Sequence, residues 1–215
     1  MAASRPEIGL FEAIYTARAI RKLRHDKPVS ESDVRAIIEA GTQATNGANR
    51  QLWRFAVVRD PATKNRIGEW YRQAALRVLG PDDNPNPNHI ANSGERYLQE
   101  HAGESPVIIF VVATPNYGQA VGEWKPVDAA SAGYMCLPAV QNMLLAARGL
   151  GLGSNLTSAI NMYEKEVKEL LGIPDECKIV CMLPIGYPQG KHGPKTRKPV
   201  EEVTYSERWN QAPRF

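Results

Sequence analysis

The stretch Pro106–Thr114, PVIIFVVAT, is a run of apolar residues with the length of a β-strand. An uninterrupted apolar run indicates a central strand that is covered on both faces, because a half-exposed strand alternates apolar and polar residues. Two other stretches also predict strands. RFAVVRD contains one from Phe55 to Val58, which Asp60-Pro61 ends, and KIVCMLPIGYP contains one from Lys178 to Ile185. The chain is therefore expected to fold around a sheet of few strands.

Helical patterns surround these strands. Residues 8–16 place apolar side chains on one side of a helix. In PVSESDVRAIIEAG, Ser30 is expected to cap a helix that Gly41 stops. Further helices are predicted over residues 62–79, over residues 127–150, where Pro138 should bend the helix, and in MYEKEVKELLG. This order of elements predicts an α+β fold whose sheet is covered by helices.

The chain length, the net charge and the number of cysteines restrict the class of protein. A chain of 215 residues fits one domain with a real core, and a net charge of +3 is too small to indicate a nucleic-acid binder by itself. Three cysteines form no paired framework, the first residues do not resemble a signal peptide, and no run reaches the ~20 apolar residues of a membrane span. We expect a soluble cytoplasmic protein.

Few signatures of catalysis are present. The spacing of the four histidines relative to cysteines and carboxylates predicts no metal site. The nucleophile elbow, the phosphate-binding P-loop and the dinucleotide fingerprint are absent from the sequence. GLGLGSN, residues 149–155, follows a helix and not a strand, so one interpretation is a helix C-cap with a tight turn.

Two small clusters of basic residues favour an anion site. Arg18 and Arg21 project from the same side of a helical turn, and the apolar residues between them indicate a half-buried segment. Lys195 and Arg197 lie in the stiff late loop GPKTRKP. A solvated face is the alternative for each cluster. Two small, separated clusters suit one phosphate better than a polymer, because guanidinium groups bind phosphate in a bidentate manner.

A third stretch, GTQATNGANRQLWRF, is rich in side-chain amides. Thr45, Asn46, Asn49 and Gln51 offer both donors and acceptors, which suit a planar heterocycle with carbonyls and ring nitrogens. A loop with Asx turns explains the same residues. The two interpretations remain open at this point.

Together, these stretches resemble the nitroreductase family of FMN enzymes. Four family patterns occur in order between about residues 8 and 203. They are ARAIR at residues 17–21, TNGANRQLWRF at 45–55, AARGLG at 146–151, and GYP at 186–188 followed by RKP at 197–199. The chain departs from the family patterns at Ala17, Ala19, Thr45, Asn46 and Leu52.

The resemblance implies a three-layer α-β-α sandwich with a mixed, mostly antiparallel sheet. It also implies a single domain with a lid or insertion at 80–97, a C-terminal arm at 203–215, and a homodimer with FMN at the interface. Implied phosphate contacts are Arg18, Ala19, Arg21, Lys195 and Arg197. Implied contacts of the flavin ring are Thr45, Asn46, Gly47 and Asn49 of a second copy, and Leu156, Thr157 and Ser158.

The implied activity is reduction of nitroaromatics, quinones or related small oxidants by NAD(P)H in a ping-pong cycle. Flavin N5 is the reacting centre, so no catalytic side chain is expected, although Thr157 lies where it could tune N5. Candidate substrate contacts are Arg96, Tyr97, Tyr117 and Trp124. The alternatives are a reductive dehalogenase resembling iodotyrosine deiodinases, an FMN-binding protein without turnover, and a small nucleic-acid binder.

Overall fold

The sheet contains four strands in the residues that the structure describes, which are 8–79, 93–115 and 128–215 of this computed structural model. Their order across the sheet is β1-β2-β4-β3, and each neighbouring pair is antiparallel. The parallel pairing is an isolated bridge between Ala19 and Ser154. The strands are β1 Trp53–Val58, β2 Val107–Ala113, β3 Gly153–Ser154 and β4 Lys178–Gly186.

The central strand β2 is buried along its whole length, as its sequence predicts. Because side chains of a strand alternate between faces, its odd-numbered residues join one core with α2 and α5, and its even-numbered residues join a second core with α3. The sheet therefore has a helical layer on each face, and the predicted α+β, three-layer architecture is confirmed. The helices are α1 Leu10–Thr16, α2 Glu31–Thr42, α3 Pro61–Leu79, α4 Ser93–His101, α5 Ala129–Gly149 and α6 Glu164–Leu171.

Local signals set most of the helix boundaries. The Ser30 hydroxyl accepts a hydrogen bond from the N–H of Asp33 at 3.0 Å, so the predicted cap of α2 is confirmed. The predicted stop at Gly41 is wrong, because α2 continues to Thr42. A Cβ at position 41 would lie 2.9 Å from Cγ of Met143, so this glycine serves the close packing of α2 on α5.

Helix α4 occupies part of residues 80–97, the stretch for which the family resemblance implied a lid or insertion. It begins at Ser93, so residues 93–97 are helical, and residues 80–92 lie outside the described part of the chain. Helix α4 carries Glu95 and Tyr97, and its last residue is His101. Among the described helices, none is long and apolar enough to cross a membrane.

The end of α5 brings the N-terminal segment to the sheet. The N–H of Leu152 donates to the carbonyl of Ala147 at 2.8 Å and that of Gly151 to Arg148 at 3.0 Å, a Schellman motif with Gly151 at φ 73°. The glycine-rich stretch is therefore a helix C-cap with a tight turn. Ile20 packs on Gly153, where a Cβ would lie 2.6 Å from Cγ2 of Ile20. Residues 17–21 consequently lie beside β3.

Candidate functional site

A cavity of about 320 Å³ lies where the segment 17–21, α5, the turn at β3 and the late loop meet. The backbone N–H of Ile20 donates to the carbonyl of Ser154 at 2.9 Å, which joins two of these walls. The cavity is lined by Ala17, Arg18, Ala19, Arg21, Gln141, Leu144, Arg148, Leu152, Ser154, Asn155, Leu156, His192, Lys195 and Arg197. Both of the basic clusters that the sequence singled out therefore face the same space.

Five cationic side chains line this cavity, and they differ in how far they are already engaged. Lys195 donates from Nζ to the carbonyl of Ile14 at 2.8 Å, and Arg197 donates to the adjacent carbonyl of Thr196. Arg18 is exposed, and its guanidinium makes no side-chain hydrogen bond or ion pair with the described residues. This arrangement suits a bound anion, because guanidinium and ammonium groups are strong donors to phosphate oxygens.

Arg148 and His192 are functional candidates that the sequence reasoning missed. Arg148 donates from Nε to Oγ1 of Thr16 at 2.8 Å and lies 3.3 Å from Oε1 of Glu12. Both ring nitrogens of His192 are buried without a hydrogen-bond partner among the described residues. Burial, and then the positive charge of Arg148, lower the pKa of His192. Both residues adjoin stretches that were noticed, since Arg148 is within AARGLG and His192 precedes GPKTRKP.

Arg21 lies between this cavity and a second, smaller one of about 140 Å³. Its Nη2 lies 3.0 Å from Oε1 of Glu95 on α4, and both side chains are largely buried. Asn155 and Leu156 also line both cavities, and Asn155 is 5% exposed. The two cavities therefore adjoin each other at these residues, and the larger one is the more cationic.

The smaller cavity is lined by apolar groups and two hydroxyls, together with the Arg21–Glu95 ion pair and one amide. Oγ1 of Thr157 donates to the Tyr71 hydroxyl at 3.3 Å, and the backbone of Thr157 exchanges hydrogen bonds with Met182 of β4. Burial raises the pKa of Tyr71, so this hydroxyl keeps its proton at neutral pH. The further lining residues are Arg21, Ala75, Val78, Glu95, Asn155, Leu156 and Ala159.

The amide-rich loop does not line the cavities of its own chain. Thr45, Gly47 and Asn49 are exposed, and Asn46 uses its side chain within the loop, where Oδ1 accepts from the N–H of Gln51 at 2.9 Å. The amides of this loop therefore bond within the loop in the single chain, although the bond to Gln51 spans five residues and not the two of an Asx turn. A role of these residues toward a ligand held by a second copy remains a prediction.

The other predicted contacts are dispersed. Ser158 is exposed next to Thr157 and is not among the residues that line either cavity. Arg96 donates to Oε1 of Gln99 at 3.0 Å on α4, and the Tyr97 hydroxyl lies 3.1 Å from Nε2 of His25. Tyr117 and Trp124 lie outside the described residues.

Large apolar side chains are exposed on three elements of the single chain. Phe11 of α1 is 67% exposed, Tyr134 of α5 is 78% exposed, and Trp209 of the C-terminal arm is 79% exposed.

Comparison with known proteins identifies relatives of the chain. The family model described as "Nitroreductase family" matches residues 14–187. A protein named NADH dehydrogenase from Thermus thermophilus is 30% identical over 94% of this chain and 98% of its own length. Iodotyrosine deiodinase 1 from Rattus norvegicus is 27% identical over 83% of this chain and 61% of its own. The crystal structure of a nitroreductase with bound FMN from Bacteroides fragilis superposes with a TM-score of 0.63, at 24% identity, over 89% of this chain and 95% of that one.

Proposed function

Because the chain belongs to the nitroreductase family, we propose that it is an FMN-dependent oxidoreductase that uses NAD(P)H to reduce small oxidants such as nitroaromatics and quinones. The observation that carries this proposal is the cation-lined cavity, which adjoins a smaller, less cationic one at Arg21. The structure with bound FMN from Bacteroides fragilis supports the choice of cofactor. The relative from Thermus thermophilus, named NADH dehydrogenase, supports a nicotinamide donor.

The residues of the larger cavity fit the phosphate of FMN. Arg18, Lys195 and Arg197 supply positive charge from two segments, and Arg148 and His192 add donors from two more. The family's arginine and serine are replaced here by Ala17 and Ala19, and Arg148 and His192 offer the charge and hydrogen bonds that those alanines lack.

The smaller cavity fits part of a flavin ring. Tyr71 and Thr157 offer hydroxyls, Ala75 and Val78 offer apolar surface, and Arg21 supplies a positive charge at the junction. A volume of about 140 Å³ is smaller than a three-ring heterocycle, so the lining of this cavity by the described residues accounts for only part of the ring site. A homodimer in which Thr45, Asn46, Gly47 and Asn49 of the second copy complete the site accounts for this, and the exposed apolar residues of α1, α5 and the arm would form its interface.

FMN held by Arg18, Lys195 and Arg197 would supply hydride and electron transfer between NAD(P)H and the oxidant, in a ping-pong cycle. The residues of the chain would bind and orient this cofactor and exclude water from the site. Arg21, which Glu95 holds in place through an ion pair at 3.0 Å, would offer its guanidinium as a preorganised donor to the ring site. Tyr71 and Thr157 remain protonated hydrogen-bonding groups beside it.

A visible absorption spectrum of the purified protein tests the cofactor directly, followed by boiling and identification of any released chromophore. The expected result is a flavin band and about one FMN per chain, from the one site that each chain contributes. Anaerobic addition of NADH or NADPH should then bleach the band, and a nitroaromatic, a quinone or an iodotyrosine should be compared as the oxidant that restores it. Bound FMN that no nicotinamide bleaches would identify a carrier. A colourless protein that takes up no added FMN would contradict the proposal.

Mixed dimers test whether a second copy completes the site. Arg18→Ala and Asn46→Ala lie in different walls of the proposed site, and each should weaken FMN binding in its own homodimer. In a mixed dimer, one site carries both substitutions and the other carries neither, so half of the sites should regain wild-type affinity. Uniformly weak binding in the mixed dimer would show that both residues serve the same chain's site.

A cytoplasmic location is also proposed. All three cysteines are free and buried, and burial raises the pKa of Cys136 to about 11 and that of Cys181 to about 12. Unpaired thiols of this kind suit a reducing compartment.

A further inference from the structure

Three potential metal ligands converge outside the cavities, although the spacing of the histidines in the sequence predicted no metal site. Nδ1 of His25 lies 2.6 Å from Oε2 of Glu104, and Nδ1 of His101 lies 2.9 Å from Oε1 of the same carboxylate. The three ligand atoms all lie within 4.8 Å of one another. From this geometry we propose that His25, His101 and Glu104 bind Zn²⁺ or a divalent transition-metal ion of similar chemistry.

The donor set matches what zinc prefers. Two imidazoles and one carboxylate are a known zinc ligand set, with a fourth position left for water. Zinc–ligand bonds of about 2.0–2.1 Å in a tetrahedron place neighbouring ligand atoms about 3.3 Å apart. In the structure, the distance from Nδ1 of each histidine to the facing oxygen of Glu104 is shorter than this by less than about 1 Å. Small rotations of the side chains therefore open the space that the ion needs.

A hydrogen bond with Tyr97, which lies outside the ligand set, orients His25. The hydroxyl of Tyr97 lies 3.1 Å from Nε2 of His25, and it also accepts a hydrogen bond from Nε2 of Gln189. When Nδ1 of a histidine binds a metal, its Nε2 carries the proton and needs an acceptor, and Tyr97 supplies one. The ring of Tyr97 also packs against His101, with centroids 4.3 Å apart. One tyrosine thus positions both imidazoles.

The backbone that carries the ligands is fixed by packing. His25 follows Leu23, which is 1% exposed, and Arg24, whose N–H donates to the carbonyl of Tyr187 at 2.8 Å. Between His101 and Glu104, Ala102 is fully buried. A preformed arrangement of this kind lowers the entropic cost of binding, so the ion would join the N-terminal segment to the end of α4.

The local charges permit a cation here. Glu104 presents a carboxylate to both imidazoles, with Oε2 facing Nδ1 of His25 and Oε1 facing Nδ1 of His101. Arg24 is paired with Asp26 at 2.7 Å, and Lys22 lies 5.7 Å from the ring centroid of Tyr97. The alternative is a metal-free cluster in which Glu104 accepts hydrogen bonds from both imidazoles, and it predicts no uptake of metal.

Zinc binding by the untagged, chelator-treated full chain tests the proposal. We expect one Zn²⁺ per chain in competition with a chromophoric chelator, and tetrahedral absorption bands when Co²⁺ replaces it. His25→Ala and His101→Ala should each weaken binding by at least about tenfold, and Tyr97→Phe should weaken it by about 10-fold through the outer shell. His192→Gln, which removes a histidine elsewhere, should leave the affinity unchanged.

A melting temperature that rises with Zn²⁺ in the wild type and not in His101→Ala provides a second readout, since a ligand that binds only the folded state stabilises it. Glu104→Gln, which keeps the size of the side chain, replaces any alanine variant that fails to fold. Absence of stoichiometric uptake, or uptake that survives the loss of both histidines, would overturn the proposal. Equal loss in His192→Gln would also overturn it, because the ion would then bind elsewhere.

Discussion

Replacing Arg18 with alanine should weaken FMN binding while leaving the folded chain intact. Arg18 lines the cation-rich cavity, and among the five cationic groups there its guanidinium is the one that makes no hydrogen bond or ion pair with the described residues. No existing contact has to break when this guanidinium binds a phosphate. Because Arg18 is exposed, its removal should leave the stability of the apoprotein within about 0.5 kcal/mol.

The size of the effect follows from the kind of contact. A hydrogen bond to a charged group contributes about 1.5–3 kcal/mol, and the exposure of Arg18 places it near the lower value. About 1.4 kcal/mol corresponds to a tenfold change in affinity, so the dissociation constant of FMN should rise by about tenfold. Four further cations remain in the cavity, so binding should be weakened and not abolished.

Fluorescence titration of the apoprotein with FMN and with riboflavin measures this effect. Riboflavin lacks the phosphate, so the Arg18→Ala variant should bind it as the wild type does. Arg35→Ala is the matched control, because Arg35 is an exposed arginine on α2 that pairs with Glu39 away from the cavity. Equal weakening of FMN and riboflavin, or unchanged binding of FMN, would refute the assignment of Arg18 to the phosphate.

Three other substitutions test the surrounding structure. Burial lowers the pKa of His192 in the folded chain. Below the ordinary histidine pKa of about 6.5, the unfolded chain therefore binds a proton that the folded chain does not. The free energy of unfolding should consequently fall as pH drops below about 6.5. His192→Gln should flatten this slope in thermal melts of the apoprotein, and parallel slopes would contradict the cause. Gly153→Ala should destabilise the fold by about 1–3 kcal/mol and weaken FMN binding, because its Cβ meets Ile20, whereas Gly149→Ala, with open space around it, should not. Met143→Ala should lower the free energy of unfolding, measured with urea, by about 2–5 kcal/mol, because the Met143 side chain is fully buried where α5 packs on α2. A loss below about 1 kcal/mol would show that the surrounding side chains repack to fill the space.

The layers of the fold could be predicted because their causes are local. Residues 107–113 contain no polar side chain, and a strand of this kind is stable only when both faces are covered. The Ser30 cap was also predictable, since its hydrogen bond to Asp33 spans three residues. Four of the five cations that line the cavity, all except Arg148, were recognised by their spacing together with the resemblance to a family.

The composition of the site was decided by contacts between distant parts of the chain. Arg148 became a cavity residue because α5 ends at Gly149 and the turn at Gly151 leads the chain toward the segment at Ile20. His192 reaches the same cavity from the late loop. The sequence pattern alone predicts that Gly41 ends a helix, and only the close approach of Met143 in the structure shows that Gly41 is a packing position.

The sequence by itself determined which stretches become strands and helices, because periodicity, capping and burial act over a few neighbouring residues. Only the tertiary structure brought His25 beside His101 and Glu104, and Arg21 beside Glu95 on α4. Those pairs are separated by more than 70 residues. The packing of α4 against the N-terminal segment sets their distances, and no local pattern in either segment encodes that packing.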